Sequence, residues 1–259
     1  MKIDLHNHTV LCNHATGTVD AYVESAIECG TEYFGFSDHA PMNYDCEYRM
    51  SFEQMDIYEQ WVSDAQEHYS DKITVLLGYE VDYLPHYMDE RVLKRPCDYL
   101  IGSVHFIDEW GFDNPEYIAA YNTADMDTVY KRYFDLVEMM AKSGYFDIIG
   151  HFDLLKVFKF FPKTDIRLLA ANALKAIKKA NMTVEINVAG FRKPVKEAYP
   201  SPLLLEAIAE MEIPITFGSD AHRPDQVGMF TAQAQALASS VGYTHCALYR
   251  NRDREMVKF

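Results

Sequence analysis

The sequence has 259 residues, and its 39 acidic against 24 basic side chains leave a formal net charge of −15. This acidity argues against a nucleic-acid partner, which needs concentrated basic side chains, and favours a small cationic or metal-neutralised ligand. The polar start MKIDLHNHTV lacks the form of a signal peptide, and no run approaches the ~20 apolar residues of a membrane span. Five scattered cysteines without a CxxC pair are typical of reduced thiols, so we expect a cytoplasmic protein with no membrane partner.

Short apolar runs recur along the chain and are separated by turns and helical segments. They predict seven strands, over residues 2–6, 33–38, 73–79, 99–105, 146–151, 183–188 and 214–220. Most of these runs are almost continuously apolar, as in parallel strands that are covered on both faces. The tail, residues 243–259, is expected to add one short strand.

Amphipathic segments with helical spacing lie between these strands. The first begins after Thr18, a suitable N-cap, and ends near Gly30. Others cover residues 126–143 and 166–177, and Ser201 with the following proline marks a further helix start. Alternation of strand and helix predicts a parallel sheet with right-handed crossovers. Seven such units favour a closed α/β barrel, with an open doubly wound sheet as the alternative.

Histidines and two carboxylates concentrate where the predicted strands end. His6, His39, His105, His151 and His222 lie at or just past strand ends, His8 and His14 follow in the first loop, and Glu80 and Asp220 end the third and seventh strands. The C-terminal ends of parallel barrel strands meet at one face. We therefore expect these nine side chains to converge, whereas His68, His86 and His245 are expected on the surface.

Imidazoles and carboxylates together suit Zn, Mn or Fe. Seven imidazoles and two carboxylates exceed the needs of one tetrahedral ion but suffice for two or three divalent ions if a carboxylate bridges. A bridged cluster makes hydroxide available near neutral pH and clamps oxygens during displacement at phosphorus. A lone histidine in a strand is more often a packed core residue. A structural zinc at Cys12 is disfavoured because no second cysteine lies nearby.

Several short motifs carry a family resemblance. They are His6-Asn-His8, His14, Asp38-His39, Glu80, Ser103-Val-His105, Gly150-His151 and Ser219-Asp220-Ala-His222, together with FSDHAP, HFIDEWGFDNPE, GHFDLLK and INVAGFRKPVKEAYPSP. In order and over essentially the whole chain, they resemble the PHP (polymerase and histidinol phosphatase) family, most of all its stand-alone phosphatases. The resemblance implies a distorted (β/α)7 barrel, with residues 1–259 forming a single PHP-type metal-dependent phosphoesterase domain. It also implies hydrolysis of L-histidinol phosphate to L-histidinol and phosphate, the penultimate stage of histidine biosynthesis.

The resemblance further implies a trinuclear metal centre. His6, His8, Glu80 and Asp220 would hold one ion; Glu80, His105 and His151 a second, with Glu80 bridging; and His14, His39 and His222 a third. Asp220, Glu80 and His222 are expected to be catalytic as well. The mechanism that follows is attack of a metal-bridging hydroxide on phosphorus, opposite the leaving alkoxide, with catalysis mainly by positioning and charge stabilisation.

Substrate contacts are expected from loops that follow the barrel strands. Arg192 is the first candidate for the phosphate, since its guanidinium matches phosphate oxygens, and Lys156 is the second. The acidic and aromatic segment over residues 107–116 could bind the ammonium and imidazole of histidinol. The alternatives are solvated charges and an acidic surface loop.

Three other functions fit parts of the pattern. The same scaffold could hydrolyse another phosphomonoester, such as a nucleotide, a sugar phosphate or phosphotyrosine. A non-catalytic metal-binding module is disfavoured because every expected ligand position holds a competent residue. An amidohydrolase also begins with HxH but typically uses a carbamylated strand-end lysine, where this chain has Glu80 and His105. The oligomeric state stays open.

Overall fold

The computed structural model describes residues 2–259. Seven parallel strands form one sheet in the order β1-β2-β3-β4-β7-β8-β9, and two small antiparallel hairpins, β5-β6 and β10-β11, lie outside it. The strands are β1 (Ile3–Asp4), β2 (Tyr33–His39), β3 (Thr74–Asp82), β4 (Tyr99–Ser103), β5 (Phe106–Ile107), β6 (Trp110–Gly111), β7 (Ile148–Ile149), β8 (Thr183–Asn187), β9 (Ile215–Gly218), β10 (His245–Arg250) and β11 (Asp253–Lys258).

The two edges of the seven-stranded sheet meet. The Leu5 amide donates to the Phe217 carbonyl at 3.0 Å, and the Asp220 amide donates to the His6 carbonyl at 2.7 Å. These bonds join β1 to β9 and confirm a distorted (β/α)7 barrel over the open-sheet alternative. All seven predicted strands are present, but β1 and β7 are only two residues long. The β9 ladder ends before Asp220 and the β7 ladder before His151, because both residues adopt positive φ, 50° and 22°.

Helices follow the strands as the periodicity predicts. They are α1 (Val19–Glu28), α2 (Met55–His68), α3 (Glu90–Leu93), α4 (Met126–Ser143), α5 (Ile166–Lys179), α6 (Pro202–Glu210) and α7 (Thr231–Ser240). Thr18 caps α1, its hydroxyl accepting from the Ala21 amide at 3.2 Å. Ser201 precedes Pro202 at the start of α6, but its side chain makes no capping hydrogen bond. The apolar faces of the helices pack on the barrel strands and form one continuous core with them.

The prediction of one short strand in the tail, residues 243–259, was wrong. The tail forms two antiparallel strands, β10 and β11. Asn251 and Arg252 both adopt positive φ, 50° and 71°, and reverse the chain between them. The hairpin is bonded to the barrel: the Thr216 hydroxyl donates to the Ala247 carbonyl at 2.8 Å, and the Thr183 and Tyr249 hydroxyls lie 2.7 Å apart. Within residues 2–259, no helix combines the length and apolar character needed to cross a membrane.

Candidate metal centre

The nine side chains expected to converge do meet at the carboxyl ends of the strands, which we call the mouth of the barrel. Ring centroids lie 5.1 Å apart for His6 and His8, 4.0 Å for His8 and His222, and 5.3 Å for His14 and His39. The His105 and His151 centroids are 4.8 Å apart. The three other histidines, His68, His86 and His245, are exposed as expected.

Glu80 lies at the centre of this cluster and is only 1% exposed. Its Oε1 is 2.8 Å from His151 Nε2 and 3.7 Å from His105 Nε2, while its Oε2 is 3.0 Å from His39 Nδ1 and 3.3 Å from His6 Nε2. Burial alone would raise the pKa of this carboxyl, but the surrounding imidazoles hold it well below its usual value. Glu80 is therefore an anion that contacts both sides of the cluster.

Asp220 faces the cluster from the loop just after β9. Its Oδ1 is 3.3 Å from His8 Nε2 and 3.4 Å from His222 Nδ1. Asn187 donates to its other oxygen at 3.2 Å. Against the effect of burial, the imidazoles of His6, His8 and His222 keep the pKa of Asp220 well below its usual value. The buried Glu80 and the partly buried Asp220 thus remain charged amid histidine rings.

Several of these rings have a buried nitrogen that makes no hydrogen bond within residues 2–259: His6 Nε2, His8 Nε2, His39 Nδ1, His151 Nδ1 and His222 Nε2. Leaving a buried polar atom unpaired costs roughly 1–3 kcal/mol. Lone pairs on such nitrogens, next to carboxylate oxygens, fit a bound cation. The residues present therefore fit divalent metal ions, whose usual ligands are imidazole nitrogens and carboxylate oxygens.

Ligand atoms group in three sets that resemble those expected for the three ions, except that Asp220, an expected ligand of the first ion, belongs to none of them. Within each set the atoms lie within 4.8 Å of one another: His6, His8 and Glu80; Glu80, His105 and His151; and His14, His39 and His222. A fourth set joins Cys12 to His8 and His222. The Cys12 thiol is buried and donates to the Thr9 carbonyl at 3.1 Å.

Proton affinity differs between rings of the cluster. Burial by itself would lower the pKa of His8 and His105, but carboxylates outweigh burial at His8, where Asp220 and Asp38 raise the pKa to about 9, and at His105, where Asp82 and Glu80 raise it to about 10. Burial prevails at His39 and lowers its pKa to about 4. The carboxylate-facing rings therefore hold protons that an incoming cation would displace.

Carboxylates behind the rings were not predicted from the sequence. Asp38 lies 3.2 Å from His8 Nδ1, Asp82 2.5 Å from His105 Nδ1, and Glu185 2.7 Å from His6 Nδ1. Outer carboxylates of this kind orient metal-binding histidines and increase their basicity. The available signal was an acidic residue inside a buried strand, as in TVEIN of β8, because such residues need a buried partner.

A cavity of about 590 Å³ opens above the cluster. Its wall includes Glu80, Asp220 and His222, and Arg192 from the loop after β8. Nη2 of Arg192 donates to the Ser219 and Asp220 carbonyls, both at 2.8 Å, and Nη1 is buried with no partner among the described residues. The guanidinium therefore keeps one unpaired donor, and the side chain lines the cavity.

Lys156, the second phosphate candidate, is not brought into the site. It is 1% exposed, does not line the cavity and donates to Glu197 at 2.6 Å and to the Ala198 carbonyl at 2.7 Å. Asp153 lies 3.3 Å away on the other side. The ammonium is therefore occupied in joining the loop after β7 to the loop after β8.

The acidic segment after β4 contributes one carboxylate to the cavity, Asp113. Asp108 instead pairs with Arg132 at 2.7 Å. The two aromatic residues serve the core, because Phe112 is fully buried and Trp110 packs on Tyr121 at 4.8 Å. Of the charged residues in segment 107–116, only Asp113 therefore lines the cavity.

Comparison with known proteins agrees with this geometry. A family model described as PHP domain matches residues 4–189, and one described as PHP-associated matches residues 204–240. The chain belongs to the PHP family. Within it, the chain is 42% identical over 244 residues to a protein of Deinococcus radiodurans described as a probable histidinol-phosphatase, which covers 92% of this chain and 93% of the relative.

Two further proteins match most of the chain. The histidinol-phosphatase of Bacillus subtilis is 29% identical over 260 residues, covering 88% of this chain and 96% of its own length. The crystal structure of histidinol phosphate phosphatase from Lactococcus lactis, complexed with Zn, L-histidinol and phosphate, superposes with a TM-score of 0.80 at 21% identity. That superposition covers 97% of this chain and 98% of the relative, so the two share the fold.

Proposed function

We propose that this chain is a metal-dependent phosphatase that hydrolyses L-histidinol phosphate to L-histidinol and phosphate in histidine biosynthesis. The observation that carries the proposal is the convergence of seven imidazoles and Asp220 around Glu80, beside the Arg192 guanidinium, which keeps one nitrogen unpaired. Relatives described as histidinol-phosphatases match along most of the chain and support the choice of substrate. We also propose that residues 1–259 act as one PHP-type domain and, from the five free cysteines, that it works in the cytoplasm.

Two to three divalent ions, Zn, Mn or Fe, are proposed as cofactors. The proposed ligands are His6, His8, Glu80 and Asp220 for one ion, Glu80, His105 and His151 for a second, and His14, His39 and His222 for a third. Unpaired buried nitrogens and the central position of Glu80 support these assignments. When bound, such ions bring the pKa of coordinated water to near 7 and neutralise phosphate charge.

The chain's own residues position the phosphate and handle protons. We assign the free guanidinium nitrogen of Arg192 to a phosphate oxygen, because its other nitrogen is already held by two backbone carbonyls. Glu80, Asp220 and His222 all line the cavity, but the Glu80 side chain is only 1% exposed, against 16% for Asp220 and 24% for His222. Asp220 Oδ1 and His222 are therefore the groups placed to accept the proton of the attacking water and to return one to the leaving alkoxide.

The remaining wall of the cavity suits a cationic leaving group. Asp45 and Asp113 supply carboxylates, and Tyr48 and Tyr117 supply aromatic faces. An ammonium can pair with the carboxylates and an imidazole can stack on a tyrosine ring. A small phosphomonoester that carries an amine is therefore the substrate class that we assign to this cavity.

A phosphate-release assay tests the proposal. Purified protein with added Mn or Zn would be compared on histidinol phosphate and on a panel of phosphomonoesters that includes a nucleotide, a sugar phosphate and phosphotyrosine. We expect the largest kcat/KM for histidinol phosphate. A larger kcat/KM for another ester would leave the proposed phosphatase activity standing but show that the substrate is different. If no ester released phosphate, the proposed activity itself would be wrong.

A further inference from the structure

Glu185 is a carboxylate buried in the middle of β8, in the sequence TVEIN, and it is 1% exposed. Glutamate is almost never fully buried unless it is paired. It is not part of the ligand sets described above and does not line the cavity. Its position beneath the mouth therefore needs a reason other than contact with substrate.

The carboxylate of Glu185 binds three parts of the site at once. Its Oε1 lies 2.7 Å from His6 Nδ1. Its Oε2 accepts from the His151 backbone amide at 2.8 Å and from Asn187 Nδ2 at 3.1 Å. The same Asn187 nitrogen is 3.2 Å from Asp220 Oδ2. Asp38 contacts the His8 ring and accepts from the His39 amide at 2.9 Å, and Asp82 contacts the His105 ring, but neither reaches Asp220 through a shared partner as Glu185 does through Asn187.

Space for this carboxylate comes from a glycine on the neighbouring strand. A Cβ atom at Gly218 would lie 1.8 Å from Glu185 Oε1 and 2.6 Å from His6 Cβ. Any side chain at position 218 would therefore displace Glu185 or His6. The absence of a side chain at Gly218 of β9 thus leaves room for the Glu185 carboxylate.

We propose that Glu185 is the positioning residue of this centre, fixing His6, His151 and Asp220 in the arrangement that binds metal ions. By accepting the Nδ1–H of His6 it sets the tautomer that leaves Nε2, which faces Glu80, free to bind an ion. By accepting from the His151 amide it holds a backbone whose φ is 22°. This inference rests on the proposed metal-dependent function and extends it to a residue that touches neither substrate nor ion.

The test compares Glu185→Gln with Glu206→Gln, an exposed glutamate of α6. Metal affinity is measured by competition with a chromogenic chelator, and the Co²⁺-substituted proteins are compared by visible absorption. For Glu185→Gln we expect metal affinity lower by roughly 10–100-fold and an altered Co²⁺ spectrum. The thermal midpoint of the metal-free protein should change little, while its rise on metal addition becomes smaller. Glu206→Gln should match the unsubstituted protein.

Glu185→Asp serves as the second variant, because it keeps the charge but withdraws the carboxylate by one methylene. We expect it to lose metal affinity as Glu185→Gln does, since position as well as charge is required. Metal affinity within twofold of the unsubstituted protein in both variants would overturn the inference. So would failure of both variants to fold without metal, which would assign Glu185 a purely structural role.

The same measurements separate this inference from the proposed function. If the unsubstituted protein binds no divalent ion and releases no phosphate, the proposed function fails and takes this inference with it. If the unsubstituted protein and Glu206→Gln bind metal and turn over substrate, and Glu185→Gln behaves identically, the function stands and only the role of Glu185 is lost.

Discussion

The two ends of the barrel use acidic residues in opposite ways. At the floor, where the strands begin, Asp98 accepts from the Leu77 and Asn251 amides at 2.9 and 3.1 Å, and Asp147 accepts from the Leu100 amide at 2.8 Å and pairs with Arg252. These carboxylates link β3 and β4 to the turn of the β10-β11 hairpin through hydrogen bonds.

At the mouth, Glu80 and Asp220 face imidazoles instead of amides. Five of those rings keep an unpaired buried nitrogen, and Arg192 keeps an unpaired guanidinium nitrogen. Unpaired buried polar groups lower stability unless a ligand binds them. The polar atoms at the mouth can therefore still bind a ligand, whereas the carboxylates at the floor already have partners within the protein. The comparison indicates that the floor stabilises the barrel and the mouth binds ligands, as in other α/β barrels.

Removing metal should affect the mouth alone, and activity should fall to background. A chelator followed by dialysis would test this, with recovery on adding Mn or Zn as the control. Ligand binding to the folded state contributes ~2.7 kcal/mol at 100 times Kd, so the thermal midpoint should also fall. Amide hydrogen exchange should speed up around the mouth and not at Asp98 or Asp147. A metal-free protein with full activity would contradict the assignment.

Matched substitutions at the two ends should give opposite results. Asp220→Asn should lower kcat by at least about 100-fold, beyond the range of roughly 10–100-fold for outer partners of metal ligands, while the protein stays folded. Asp147→Asn should keep kcat and lower the free energy of unfolding by about 1–2 kcal/mol, because a partly buried, hydrogen-bonded ion pair is weakened. Steady-state kinetics and urea unfolding distinguish them. Retained turnover in Asp220→Asn would remove Asp220 from the site.

The two cations first considered for phosphate should separate in the same way. Arg192→Ala should raise KM about tenfold, because a charge-assisted hydrogen bond contributes roughly 1.5–3 kcal/mol. Lys156→Ala should leave KM unchanged and lower stability by about 3 kcal/mol, since Asp153 would remain buried without its partner. Unchanged kinetics in Arg192→Ala would show that Arg192 does not contact substrate.

The smallest effect expected is on the pH dependence of metal binding. His8 and His105, with pKa values of about 9 and 10 without metal, are protonated at pH 7. Their raised pKa values stabilise the metal-free fold below the usual histidine pKa of 6.5, and this contribution disappears as pH rises through 9 to 10. Metal must displace these protons, so affinity should rise with pH between about 6.5 and 9, with proton release visible by calorimetry in two buffers. Affinity that falls over this range would contradict the proton positions.

Sequence patterns were sufficient to predict the elements and the convergence of the nine side chains, because both follow from local periodicity. Apolar runs located all seven barrel strands, and the histidines and carboxylates at or after the ends of six of these runs could be assigned to one face without knowing any distance. Strand ends were less predictable, since the ladders at His151 and Asp220 stop at backbone angles that apolar runs do not encode.

Contacts between distant segments were decided only by the tertiary structure. Lys156 has the same charge and a loop position comparable to that of Arg192, yet its ammonium is enclosed by Glu197 and Ala198, some 40 positions away. Glu185 meets His6 from 179 positions along the chain, through a gap left by Gly218. The sequence alone indicated which imidazoles and carboxylates reach the mouth, because these residues directly follow the predicted strands. Only closure of the barrel decided which polar side chains remain without a hydrogen-bond partner, because partners come from distant segments that no local pattern specifies.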